Sequence, residues 1–169
     1  MKKALKIIGI IVLVAVLLVA ALLIVSKITL DNAAKLKSYD FGSVDKVPSF
    51  NAVVGDRKVT GVESSSSSNG TSKKTYTYET KSVESDLTKY TTALKDAGWL
   101  IAQPAEGNMQ KGTMQFGIAS ADAGKIIVID LAWDNAKFTV QATKGPGTIT
   151  MPTVPEVPEV LETPEEPSE

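Results

Sequence analysis

Asp130 and Asp134 lie four residues apart, and Asp130 interrupts the otherwise apolar run from Ile126 to Trp133. Side chains alternate along a strand, so both carboxylates project from one sheet face. A carboxylate pair is the minimum equipment for glycoside hydrolysis. Ser43-Val44-Asp45-Lys46 has the S-x-x-K spacing of an acyl-enzyme serine nucleophile. Its companion S-D-N motif is absent. Tyr76 and Tyr78 share one strand face, and with Trp133 and Asp130 they form a candidate ligand or partner surface. The same aromatics are also needed as core, alongside Tyr90, Trp99, Phe116 and Phe138.

The chain has 169 residues and contains neither His nor Cys. That excludes a Ser-His-Asp triad, an imidazole base, a thiolate metal site and a disulfide framework. No phosphate-binding P-loop, dinucleotide GxGxxG or calcium loop occurs. The chemistry left is carboxylate chemistry, with Asp130 its foremost candidate. The expectation is a non-catalytic binding or scaffolding domain with no cofactor and no metal. A carboxylate-dependent envelope hydrolase is an alternative.

The elements that would carry these residues differ along the chain. Ile7 to Val25 are uncharged and almost wholly apolar. As a helix they would span roughly 28 Å, close to the hydrocarbon thickness of a bilayer. Lys2, Lys3 and Lys6 precede the run, which predicts a cytoplasmic amino terminus and an exported remainder. The run is longer than the usual signal-peptide core, so a retained anchor is expected over a cleaved signal. The expected organisation is an anchor region over 1–30, a stalk over 31–48, an extracytoplasmic domain over 49–149 and a disordered acidic tail over 150–169.

Within the domain, Phe50, Ala52 and Val54 alternate with polar positions and predict a strand, paired as a hairpin with 59–62. Five serines at 64–68 and Asn69-Gly70 predict a solvated loop over 64–72. Thr75 to Thr80 is β-prone. Ser82 then caps a helix over 82–97, with Val83, Leu87, Tyr90 and Leu94 on one stripe, Ala97 extending it and Gly98 ending it. Strands are expected at 99–102, 114–118, 126–133 and 138–142. The fold class is α+β: a membrane helix, then a small antiparallel sheet with one amphipathic helix packed on one face.

The formal charge of −1 hides a gradient. Residues 1–31 carry +3, residues 32–149 carry +2, and the tail, with six glutamates and no basic residue, carries −6. The tail repeats Val-Pro-Glu at 154–159, which suits polyproline II. Expected partners are the membrane through the first helix and a protein or envelope component. The acidic tail is suited to staying solvated through its glutamates, with contact to the slightly basic body or to a basic partner as the alternative, and no nucleic acid is expected.

An apolar amino-terminal helix followed by an α+β domain with an antiparallel sheet resembles pilins and pseudopilins in layout. Lys6-Ile7-Ile8-Gly9 offers a leader-like glycine. That resemblance implies a filament or secretion-apparatus subunit. Those families carry a Glu five residues after the cleavage point, where this chain has Val14.

Overall fold

The computed structural model describes residues 17, 19–21, 24–42 and 44–149. The lysines before residue 7, most of the apolar run, Ser43 of the S-x-x-K match and the tail from residue 150 lie outside the described residues. Among those described, no helix is long and apolar enough to cross a membrane.

Residues 24–34 are helical. A small hairpin follows, β1 (Ser38–Asp40) against β2 (Lys46–Pro48). Then come a short helix α1 (Phe50–Val54), β3 (Val59–Ser66), β4 (Ser72–Glu79), helix α2 (Val83–Asp96), and a meander of β5 (Leu100–Gly107), β6 (Lys111–Ala119), β7 (Lys125–Asp134) and β8 (Lys137–Pro146). The six long strands form one antiparallel sheet in the order β3-β4-β8-β7-β6-β5. The architecture is α+β.

Helix α2 carries the chain from β4 to the far edge of the sheet, and the meander brings β8 back beside β4. Ser82 caps α2 by accepting a hydrogen bond from Ser85 N, and Val83, Leu87, Tyr90 and Leu94 are buried. The last turn closes with Trp99 N on Leu94 O and Gly98 N on Lys95 O, with Gly98 at φ 83°. This paired closure needs a residue in the left-handed region, which glycine enters without a Cβ clash. Ala97 is the C-cap and is exposed, so it does not extend the buried stripe.

Three local expectations change. The predicted strand at Phe50, Ala52 and Val54 is helix α1: Ser49 caps it, accepting from Ala52 N, and Gly55 ends it at φ 89°. Alternate apolar positions also fit one helical turn, because Phe50 and Val54 stand at i and i+4. The serine run is not all loop. Ser64, Ser65 and Ser66 belong to β3 and pair with Lys74, Lys73 and Ser72. Strand pairing satisfies the backbone without any side-chain burial, so an exposed polar ribbon suffices there. Finally, the segment expected as a stalk supplies Ala33, Tyr39, Phe41 and Val47 to the same core as the sheet.

Aromatic rings fill that core. Phe50 stacks on Phe138 at 4.5 Å, lies 4.8 Å from Tyr78 and meets Tyr90 edge-on at 5.3 Å. The hydroxyls of Tyr39 and Tyr78 are 2.6 Å apart, and Phe50 N donates to Tyr39 Oη at 2.9 Å. Burial holds the Tyr39 and Tyr78 hydroxyls above their ordinary pKa, so they stay protonated; the neighbouring tyrosines add to this at Tyr39, while at Tyr78 the hydrogen bond with Tyr39 opposes it without reversing it.

Gly112 marks a close approach. A Cβ there would lie 2.4 Å from Trp133 Cζ2 and 2.5 Å from Glu106 O. The backbone oxygen cannot step aside as a flexible side chain would. Gly112→Ala is expected to cost about 2–3 kcal/mol and to dislodge Trp133 from its hydrogen bond to Asn108 O. Chemical denaturation and Trp emission check it. An unshifted midpoint would contradict the contact.

Candidate functional site

The strands alternate between a covered and an uncovered face. On the covered face lie Tyr76, Tyr78, Ile127, Ile129, Leu131, Trp133, Phe138 and Val140, all buried. Tyr76, Tyr78 and Trp133 are therefore core side chains and do not form an exposed aromatic patch, although Trp133 also lines a hollow described below. Trp133 also sits three residues from Asp130, and odd spacing sends the two to opposite faces.

Asp130 does lie on the uncovered face, as period-2 geometry requires. Its cross-strand neighbours are Gln115 on β6 and Gln141 on β8. Gln115 Nε2 donates to one carboxylate oxygen at 2.7 Å, and Gln141 Nε2 to the other at 3.1 Å. The row continues through Thr75 to Glu63 on one side and Gln103 on the other. Thr75 Oγ1 is buried there without a hydrogen-bond partner. Such atoms are uncommon in folded proteins.

Asp134 shares this face, but four residues of strand separate the two carboxylates by roughly 13 Å. Glycosidase pairs stand about 5–9.5 Å apart. Asp134 is also held by Lys111 at 3.2 Å. The two aspartates are therefore not brought together. Among the described residues, no group of three or more acidic side chains is placed to hold a metal ion.

Beside the polar row the face is apolar. Leu100, Ile101, Gly117, Ile126, Val128 and Ile149 line a groove of about 420 Å³. Leu100 and Ile101 are 39% and 45% exposed. At the opposite end of the strands, Lys111, Asp134, Lys137, Thr139 and Ala132 line a second hollow of about 440 Å³. The two hollows lie along one face, apolar at one end and carrying two lysines with two carboxylates, Glu106 and Asp134, at the other.

The deeply buried charges serve the framework rather than this face. Asp86 is fully buried and takes a two-pronged contact from Arg57, Nε at 2.8 Å and a terminal nitrogen at 2.7 Å, plus the Thr80 hydroxyl at 2.6 Å. Lys144 reaches Asp45 at 2.6 Å, Asp122 at 2.8 Å and Phe41 O at 3.1 Å. This ties β8 to the loop before β2 and to the β6–β7 turn.

Burial opposes ionisation of Asp45, but the Ala121 N–H, Lys144 and Ser120 outweigh it and bring its pKa from 3.8 down to about 2. A carboxyl with a depressed native pKa binds its proton more tightly in the unfolded chain. Its stabilisation is thus complete above pH 3.8 and is lost as the pH falls toward 2. Acid titration of the unfolding midpoint is expected to drop through that window, and Asp45→Asn to flatten the drop. An unchanged acid limb in the variant would refute this.

Gln115, Gln141 and the Leu100–Ile101 groove were not singled out from sequence. A signal existed for the glutamines: each occupies the polar parity of an apolar alternating strand. Their convergence on Asp130 depends on register, which only the sheet supplies. The chain matches no protein-family model, and comparisons with curated proteins and with solved structures give no match.

Proposed function

We propose that the chain is a single-pass membrane-anchored protein whose α+β body faces the extracytoplasmic side. The body binds or scaffolds an envelope component, and the uncovered sheet face is its binding surface. One observation carries the anchor. Leu17, Val19, Ile24, Val25 and Ile28 are helical, apolar and 54–61% exposed. Leu17, Ile24 and Ile28 share one stripe with Val25 beside it, Val19 stands opposite, and exposed apolar side chains of this kind call for an apolar surrounding. The lysines at 2, 3 and 6 favour a cytoplasmic amino terminus.

The binding role is supported by the uncovered face, which pairs an apolar groove with an oriented polar row. A hydrolase reading is disfavoured because the Asp130 carboxylate oxygens are occupied by two amides and its nearest candidate partner carboxylate is too distant. Protease added outside intact cells tests the arrangement. Digestion of the body with protection of the first few residues is expected. A body cleaved only after lysis would overturn the orientation, and recovery of the intact chain in the soluble fraction would overturn the anchor.

A second reading, a pilin-like subunit, is favoured by one feature: the helical residues 24–34 run straight into the body, with Ala33 packed in its core. A mature amino terminus immediately after Gly9 would support it, and an intact Met1 would remove it.

A further inference from the structure

The tip of the β3–β4 hairpin carries an asparagine followed by glycine, Asn69-Gly70. Residues 63–70 are all exposed. Gly70 N donates to Ser67 O at 3.1 Å and Ser67 N to Thr71 O at 2.9 Å, which closes the loop with Gly70 at φ 81°. A short loop between antiparallel strands needs a residue in this left-handed region, and glycine enters it without a Cβ clash. Nothing packs over the glycine: a Cβ there would meet no atom within 4 Å.

The Asn69 amide is held through its oxygen alone. Oδ1 accepts from Thr71 N at 2.9 Å and from the Ser67 hydroxyl, which also lies 3.4 Å from Thr71 O. Nδ2 makes no hydrogen bond to any described residue. Two donors on a carbonyl oxygen favour the negative charge that builds there when a nucleophile adds to its carbon. The nitrogen that must then leave is free in solvent. The other four asparagines lack this combination, because Ala33, Ala52, Met109 and Ala136 follow them. Asn51 is buried, and its Nδ2 donates to Ala34 O and Arg57 O. Asn135 Nδ2 donates to Asp134 at 2.6 Å. Asn108 Oδ1 does accept from two backbone donors, Gln110 N at 2.8 Å and Lys111 N at 3.0 Å. It differs from Asn69 in the bulk of the residue that follows.

We propose that Asn69 is a site of spontaneous covalent modification, converted through a cyclic imide with Gly70 to aspartate and isoaspartate. The Gly70 N–H leaves its bond to Ser67 O and gives its proton to solvent base. The nitrogen adds to Asn69 Cγ. The Cγ–Nδ2 bond then breaks, Nδ2 takes up a proton and departs as ammonia, and a five-membered imide remains. Water opens the imide at either carbonyl, so no oxidant or reductant takes part. Each product carries one new negative charge and lowers the +2 of residues 32–149 by one, close to Lys73 and Lys74 of β4. The isoaspartate product also lengthens the main chain by one carbon inside the turn. The modification is independent of the function proposed above.

Incubation of the purified full chain in lipid nanodiscs, in mildly alkaline buffer made with heavy-oxygen water, tests it. Tryptic digestion in ordinary water and peptide mass spectrometry follow. The peptide of residues 59–73 contains Asn69 as its only side-chain amide, and peptides 96–111 and 126–137 carry Asn108 and Asn135 as internal controls. Expected is a split of the first peptide into aspartate and isoaspartate forms that carry heavy oxygen, with both control asparagines unchanged. Gly70→Ala is expected to slow the conversion about tenfold or more, since a Cβ crowds the attacking nitrogen. Ser67→Ala is expected to slow it about threefold, the effect of one exposed hydrogen bond. Circular dichroism checks that both variants keep the sheet. Three results would overturn the proposal: Asn69 intact after prolonged incubation; equal conversion at Asn108 or Asn135; or aspartate alone, formed at the same rate in Gly70→Ala. An unchanged or faster rate in Ser67→Ala would overturn the part given to the hydroxyl.

Discussion

Phe50→Ala is expected to lower stability by about 4 kcal/mol, in the range measured when a buried aromatic is truncated. Phe50 is fully buried and touches rings from three other elements: Tyr78 of β4, Tyr90 of α2 and Phe138 of β8. Its removal leaves a hole that the sheet on one side and α2 on the other cannot both close. For a body of this size the melting temperature is expected to fall by roughly 20 °C. Thermal unfolding followed by circular dichroism measures it. A fall of only a degree or two would mean that α1 does not hold the sheet and α2 together. The hydrogen bond from Phe50 N to Tyr39 Oη involves backbone and survives the substitution. The effect therefore reports on ring packing.

Asp86→Ala is expected to cost about 3 kcal/mol, the loss typical of breaking a buried ion pair from one side. The cost stays at the lower end of that range because the Arg57 side chain is 21% exposed and can turn to water. Thr80 also loses its acceptor. Burial raises the Asp86 pKa, but Arg57 and Thr80 lower it further, and the net is a value below 3.8. Its stabilisation is therefore present above pH 3.8 and disappears as acid protonates the native carboxyl. The variant is expected to show its deficit at neutral pH and to converge with the parent in strong acid. A deficit that stayed constant down to pH 2 would assign the loss to packing instead of charge. The Arg57–Asp86 contact joins the chain before β3 to the first turn of α2, so its loss loosens the cap end of the helix.

Helix α2 was legible in the sequence because its signals are local. Ser82, the stripe from Val83 to Leu94 and Gly98 act within a few turns and do not depend on distant neighbours. Strands β6 and β8 were legible for a similar reason, since alternation marks a half-buried strand wherever it lies, and β7 was legible as an apolar run of strand length bounded by turn residues. Phe50 to Val54 was not, because five residues are too few to separate period 2 from period 3.6. The capping hydrogen bond of Ser49 decided between them. The residues of β1 and β2 carry only three positions each, and their burial comes from long-range contact with the sheet.

The candidate face divides along the same line. Parity alone put Asp130 opposite Ile129, Leu131 and Trp133, and the absence of His and Cys restricted its chemistry from the start. Parity could not say that Tyr76 and Tyr78 point into the core, because either side of β4 could have faced the helix. The sequence by itself determined the apolar amino-terminal run, the three-residue period of the tail, the amphipathic helix and the strands with clear alternation. These follow from covalent neighbours and fixed helical or strand periods. Only the tertiary structure decided which sheet face is covered and which glutamines hold Asp130. Each depends on strand order and register, set by contacts between residues far apart in the chain.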